Sequence, residues 1–437
     1  MRLVLAFLLL MLGCAAVQAA PAYPWRIVKD HWDASDERGF GDFLAALGDS
    51  GCSSSQSCLR DPANPYRASD RRFLDIDVDC AKLPYLLRAY YAWKNGLPFS
   101  YVDGVAGSRF GGSPNRIVSR AGMIDHGDGI DAPTAIRAMI DNVYSGTFRT
   151  DAGRDSNPAA DFYSPALQPG SIRPGTVIYD TNAHVGIVYR VDPSGRVYYM
   201  DAHPDFTITR SVYGPQFGQS PAALGGGLKN WRPLKLAGAR WTGASLAGGH
   251  YIFARNDQIH DFSLVQYLGT ERTTPPQWRY NGARLGYYEY ARVAVSGGRG
   301  DFNPVYELQA TMGTLCNDLN DRRQAVEQAV ANGITAKLHP SEIPANIYSS
   351  DDGTWESYAT PARDARLRAA FVAFRQELGR MIAMWLNRDP RIAYDGLDLK
   401  RDLLEAYDRQ SQECAVTYLS SDKHPVTLHF DDIARRL

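Results

Sequence analysis

The chain carries no excess of charge of either sign: 47 Lys and Arg stand against 48 Asp and Glu, a formal net charge of −1. It therefore lacks the basic field that holds nucleic acid or acidic lipid, and no nucleic-acid partner is expected. Beyond the first twenty residues no apolar run approaches the ~20 residues that span a bilayer. Internal repeats are absent. Charged residues make up 22% and hydrophobic ones 44%, which excludes a disordered or collagen-like chain. Metal signatures are also missing. His250 and His260 have no Cys or His at zinc-like spacing. His126, among Asp125, Asp128 and Asp131, lacks the ligand order and closing Glu of a calcium loop, and that stretch reads as a solvated loop. No metal or other cofactor is expected.

What is present begins with residues 1–20, MRLVLAFLLLMLGCAAVQAA. One Arg, an apolar run and then small residues form the layout of a signal peptide. The expectation is an exported, soluble protein, periplasmic or secreted. Lipidation at Cys14 is the weaker alternative, because Met11-Leu12 are poor residues ahead of a lipidated Cys. Export permits disulfides. Cys52 and Cys58 close a short loop, and Cys316 and Cys414 both fall in helical stretches, so these two pairs are expected. Cys80 is then left over, as a reactive thiol or a buried structural Cys.

The 437 residues suggest two or three domains. After the signal, residues 21–60 read as an N-terminal extension, with Phe40, Phe43, Leu44 and Leu47 on one helical face. Cys80 opens a helical segment whose Pro84 fits the first turn. Residues 98–170, rich in Gly, Pro, Asp and Ser, read as a loop-rich insertion broken by a helix at Pro133–Tyr144. Strands are expected at Thr176–Tyr179, His184–Val191 and Arg196–Met200, the last two joined by an Asp192-Pro193-Ser194-Gly195 turn, and at Leu228–Leu234 and His250–Arg255. Residues 256–300 read as a connector. Residues 301–437 read as an all-α domain, with helices at Tyr306–Val330, Ala362–Leu386 and Leu397–Tyr418. Trp231, Trp241 and Tyr251 read as core aromatics, and the Arg-rich stretch Arg363–Arg380 as the solvated face of a helix. The fold class expected is α+β.

Three features converge on Cys80. It sits where a helix begins, and a helix N-terminus favours a thiolate. His184 opens an apolar strand, a place for a general base. Asp201 and His203 follow on the next strand, and either can orient the imidazole. A Cys–His–polar triad in chain order is the reading these residues share.

The segment 65–83, PYRASDRRFLDIDVDCAKL, resembles the nucleophile motif of NlpC-like papain-fold cysteine peptidases, matching it at Pro65, Tyr66, Asp79, Cys80 and Leu83. The segment 172–188, IRPGTVIYDTNAHVGIV, is similar to that family's histidine block at Ile172, Pro174, Gly175, Val177 and His184–Ile187. Asp201 and His203 sit at the spacing of the acidic and amide residues of the related cysteine- and histidine-dependent amidohydrolases. The resemblance covers roughly residues 60–255 and leaves the C-terminal region out. Ala68-Ser69 and Ala81-Lys82 replace the family's Gly-Gly and Ser-Gly. It implies a papain-like domain over 61–255, Cys80 as nucleophile, His184 as base, and Asp201 as the orienting group with His203 as its rival. It also implies an oxyanion hole from the Cys80 N–H with Tyr66 nearby.

The expected activity is hydrolysis of an amide bond, in cell-wall peptide, through a thioester. A transglutaminase-like acyl transferase is one alternative, since the Cys80 helix also looks like that family's. A non-catalytic envelope binding or assembly protein, docking a partner through the C-terminal helices, is the other.

Overall fold

The computed structural model describes residues 21–70, 74–126, 129–338, 358, 360–420 and 422–436. The expected signal peptide and Cys14 lie outside the described residues. The protein is α+β, with two clusters of buried residues on the faces of a six-stranded antiparallel sheet and a third in the C-terminal region.

The chain opens with α1 (Ala34–Ser50) and α2 (Ser55–Arg60). Asp33 caps α1, accepting from the Ser35 and Asp36 amides while Asp36 reaches back to the Asp33 N–H, and Gly51 ends the helix in the left-handed region. This is a capping box with a glycine stop. Phe40, Phe43, Leu44 and Leu47 are all buried, as their spacing predicts. Residues 21–60 are no appendage: their apolar side chains share one core with α3 and the sheet. α1 lies directly on the sheet because position 48 is glycine; a Cβ there would fall 2.1 Å from the Tyr189 ring.

Next come α3 (Lys82–Lys94), the hairpin β1 (Ser100–Ala106) and β2 (Arg116–Gly122), α4 (Ala132–Asn142) and β3 (Phe162–Tyr163). The stretch expected to be loop-rich thus holds a paired hairpin and an edge strand of the main sheet. α3 is apolar nearly all round, so it is buried on all sides. Its Arg88 bonds Glu37 of α1 at 2.9 and 2.6 Å and stacks on Trp32.

The sheet is completed by β4 (Val177–Asp180), β5 (His184–Val191), β6 (Val197–Ala202), β7 (Ile208–Val212) and β8 (Gly227–Trp231), in the order β3-β8-β4-β5-β6-β7. Val177, Tyr179, Val185, Ile187 and Met200 face α1 and α3. Ile178, Val188, Val197, Tyr199 and Leu228 face the other way, into a second core. Burial on both faces explains why β5 is an apolar run with no alternation. The 192–195 turn forms as expected, with Gly195 at φ 80.

Beyond the sheet lie β9 (Leu234–Ala237), β10 (Arg240–Trp241), β11 (Leu246–Ala247), β12 (His250–Phe253), α5 (Val265–Leu268), β13 (Trp278–Tyr280), β14 (Ala283–Leu285) and α6 (Tyr287–Val295). β12 pairs with β9 and not with the main sheet. Trp241, expected in the core, is 60% exposed. The expected connector is a packing layer: Trp278, Tyr287, Ala291 and Val295 cover the second face of the sheet.

The last region holds α7 (Pro304–Ala331), α8 (Thr360–Leu386), α9 (Leu399–Glu413), β15 (Ala415–Leu419), β16 (Pro425–His429) and α10 (Phe430–Ala434). It is not all-α: the helix expected to run to Tyr418 ends at Glu413, and residues 415–419 and 425–429 pair as an antiparallel hairpin. α7 runs along edge strand β7, and Glu307 of α7 takes hydrogen bonds from Arg292 at 2.6 and 2.9 Å and from buried Arg196. Cys52 is bonded to Cys58 and Cys316 to Cys414, while Cys80 is free. Such bonds fit an oxidising compartment. Among the described residues no helix is long and apolar enough to cross a membrane.

Candidate active site

Cys80 immediately precedes the first turn of α3. Asp79 starts that helix: its Oδ1 accepts from the Ala81 and Lys82 amides, 3.2 Å each, and its carbonyl from Leu83. The local sequence D-C-A-K-L-P therefore builds a capped N-terminus with the thiol beside the cap. The capping carboxylate has a cost for the thiolate. Burial, then the Asp79 charge, push the Cys80 thiol up to about 12, so the expected lowering by the helix end is reversed. The thiol donates to the Ala183 carbonyl at 3.7 Å.

His184 is placed by a three-residue hairpin loop, Thr181-Asn182-Ala183, closing the Asp180–His184 pair of β4 and β5. The third loop residue takes the left-handed conformation usual for glycine there; here it is Ala183, at φ 67. That non-glycine strain sits next to the imidazole and supplies the carbonyl that the thiol meets. The His184 Nε2 lies 2.5 Å from Asp201 Oδ2, with both side chains buried. Nε2 is thereby committed to the carboxylate, which leaves Nδ1 for proton transfer. Burial, then Arg366, hold the imidazole below its ordinary value, against the opposing pull of Asp201. Burial works to raise the Asp201 carboxyl, but the His203 and His184 rings outweigh it and hold it well below the usual carboxylate range.

Asp201, not His203, is thus the group on the imidazole. His203 stacks beside His184 with ring centres 5.6 Å apart, and its Nε2 lies 2.8 Å from Thr209 Oγ1. Thr209 in turn donates to Asp201 Oδ1 at 2.6 Å. His203 therefore acts at one remove, through a hydroxyl that sequence reasoning missed. The missed signal is register: β6 and β7 pair Asp201 directly with Thr209.

Tyr66 is not in the site. Asn95 Nδ2 donates to its hydroxyl at 2.9 Å at the far end of α3, and with a rise of ~1.5 Å per residue that end is roughly 20 Å from Cys80. Its ring packs on Phe43, Tyr90 and Tyr91.

Cys80, His184 and His203 border one cavity of ≈ 240 Å³. Its far wall comes from an unexpected quarter, Ala362 and Arg366 of α8. The Arg-rich stretch is therefore not a solvated face at its start. Arg363 is buried and bonds Asp205 at 3.2 Å and Thr207 at 2.9 Å in the β6–β7 turn. Among the described residues no group of three His, Cys, Asp or Glu is arranged to hold a metal. Near His126, Asp125 accepts from the Gly129 amide and Asp131 caps α4, while Asp128 lies outside the described residues. Comparison with family models, curated proteins and solved structures finds no match to this chain.

Proposed function

We propose that this protein is an exported cysteine hydrolase that cleaves an amide bond, with cell-wall peptide the substrate class to which the motif resemblance points. The observation that carries the reading is that a free thiol at a helix start and the His184 ring, paired behind with buried Asp201, border the same cavity. In the reaction, the Cys80 side chain turns from the Ala183 carbonyl toward the imidazole. His184 Nδ1 takes the thiol proton as sulfur attacks the amide carbon. The tetrahedral intermediate collapses to a thioester, and the amine leaves with the proton held by His184. Water, deprotonated by the same nitrogen, then releases the acid and restores the thiol. A neutral imidazole is the competent base, and burial keeps it neutral. The high thiol pKa makes proton transfer concerted with attack, with no standing thiolate. The Cys80 N–H, with Asn182 on the cavity wall, is suited to hold the oxyanion.

One observation favours a second reading, a non-catalytic scaffold that binds a partner: the thiol donates to a carbonyl, and burial pushes its pKa up. Digestion of murein peptides separates the two. The hydrolase reading expects Cys80→Ala to abolish cleavage with unchanged thermal melting. Full cleavage by that variant refutes it.

A further inference from the structure

We propose that Arg366 makes the cleft selective for an acyl substrate that carries a carboxylate beside the scissile amide; this rests on the hydrolase reading and adds the substrate's charge to it.

Arg366 belongs to α8, in the region outside the motif resemblance, yet it faces the reacting groups. Ala362 and Arg366 are four residues apart and so share one helix face, and both border the cavity that holds Cys80 and His184. The helix start is anchored. Arg363, on the next turn of the same face, forms buried bonds to Asp205 and Thr207, and the Asp205 side chain is 0% exposed. Breaking such a buried pair is costly, so α8 is held to the β6–β7 turn that carries His203. Arg366 is consequently a fixed wall of the cleft. Its guanidinium lies 3.8 Å from Asp180, which pairs across the sheet with His184, and its side chain is only 14% exposed.

Among the described residues, the other charged side chains on the cavity are Arg109, Lys82, Asp79 and Asp141. Lys82 pairs with Asp79 at 3.7 Å, as Arg366 does with Asp180 at 3.8 Å. Arg366 is the cation whose field reaches both the sulfur and the imidazole: it favours the anion on Cys80 and disfavours the proton on His184. A planar guanidinium on the same cavity as the nucleophile is suited to a carboxylate, which it can grip with two parallel hydrogen bonds.

Two alkylating agents that differ in charge test this. Cys80 is modified at about pH 8 with iodoacetate, an anion, and iodoacetamide, its neutral amide, and the labelled peptide is followed by mass spectrometry. The ratio of the two rates, divided by the same ratio for N-acetylcysteine amide, cancels exposure and nucleophilicity. In the wild-type protein it is expected about five- to tenfold above one and to collapse in about 1 M salt, where screening is short. Arg366→Gln should return it to near one, and Arg366→Lys should keep most of it. A wild-type ratio at or below one overturns the proposal even if the variants fail to fold, as does an unchanged ratio in folded Arg366→Gln. A charge-blind Cys80 whose labelling still depends on His184 sinks only the carboxylate preference. A charge-blind Cys80 whose labelling is also the same in His184→Ala sinks the hydrolase reading with it.

Discussion

The two walls of the cleft are built differently. The sheet wall takes its reactive groups from neighbouring elements in tight register. β5 and β6 place His184 on Asp201 at 2.5 Å, and β7 places Thr209 on Asp201 at 2.6 Å. The α8 wall supplies charge, through one buried arginine that anchors it and a second that faces the cavity. The reactive wall works by distances that a shift of half an ångström would spoil. The charged wall works through a field, which tolerates larger displacement. Chemistry and selectivity are therefore separable by mutation.

The largest effect is expected on the reactive wall. Asp201→Asn should lower kcat/KM about 10²–10⁴-fold with little loss of stability, because the imidazole loses its orienting acceptor. A loss below tenfold in a purified, folded variant would mean that the pair does not act as a unit. On the charged wall, Arg363→Met leaves the Asp205 carboxylate buried and unpaired. Denaturant unfolding should show a loss of about 3–5 kcal/mol, and a change within experimental error would show that α8 is not anchored there.

A smaller effect links the walls. Because the His184 pKa is lowered, the imidazole stays neutral and competent to below its ordinary ~6.5, and the acid limb of kcat/KM should lie below that value. Arg366 contributes to the lowering, so Arg366→Gln should move the limb to higher pH. A limb that stays in place would sever the electrostatic link. The smallest effect concerns α7. Burial pushes the Asp321 carboxyl up to about 6 from its ordinary 3.8. Its charged form is penalised in the folded state, so the penalty is absent below pH 3.8, grows between 3.8 and about 6, and stays above that. Asp321→Asn should therefore stabilise the protein by about 1–2 kcal/mol at neutral pH and not at all near pH 3.5, as thermal melts at the two pH values would show.

Local signals read true where chemistry and period agreed. β5 begins and ends where its apolar run and the following turn place it, at His184 and Val191. The buried face of α1 and the Cys52–Cys58 bond followed from spacing, and the expected Cys316–Cys414 bond is also present. The failures have physical causes. Helical period in Leu399–Glu413 ran on past Cys414, and the V-T-Y alternation that makes β15 was too short to be heard against it. The hairpin β1–β2 hid behind a Gly- and Ser-rich connection. Tyr66 is close to Cys80 in sequence, but its hydroxyl is bonded to Asn95 at the opposite end of α3. Arg363 and Arg366 were illegible because their partners lie more than 150 positions away, and charged residues on a helix face usually meet water.

The central claim is that the Cys80 thiol and the His184–Asp201 pair form one acyl-transfer unit. Reaction with p-nitrophenyl acetate, followed by intact-protein and peptide mass spectrometry, reads this directly. The account predicts a transient acetyl thioester on Cys80 that forms and hydrolyses in the wild-type protein, and that forms about 10²-fold more slowly in His184→Ala. Acetylation of Cys80 at the same rate in both proteins, or an acetyl group carried only on other residues, would contradict it.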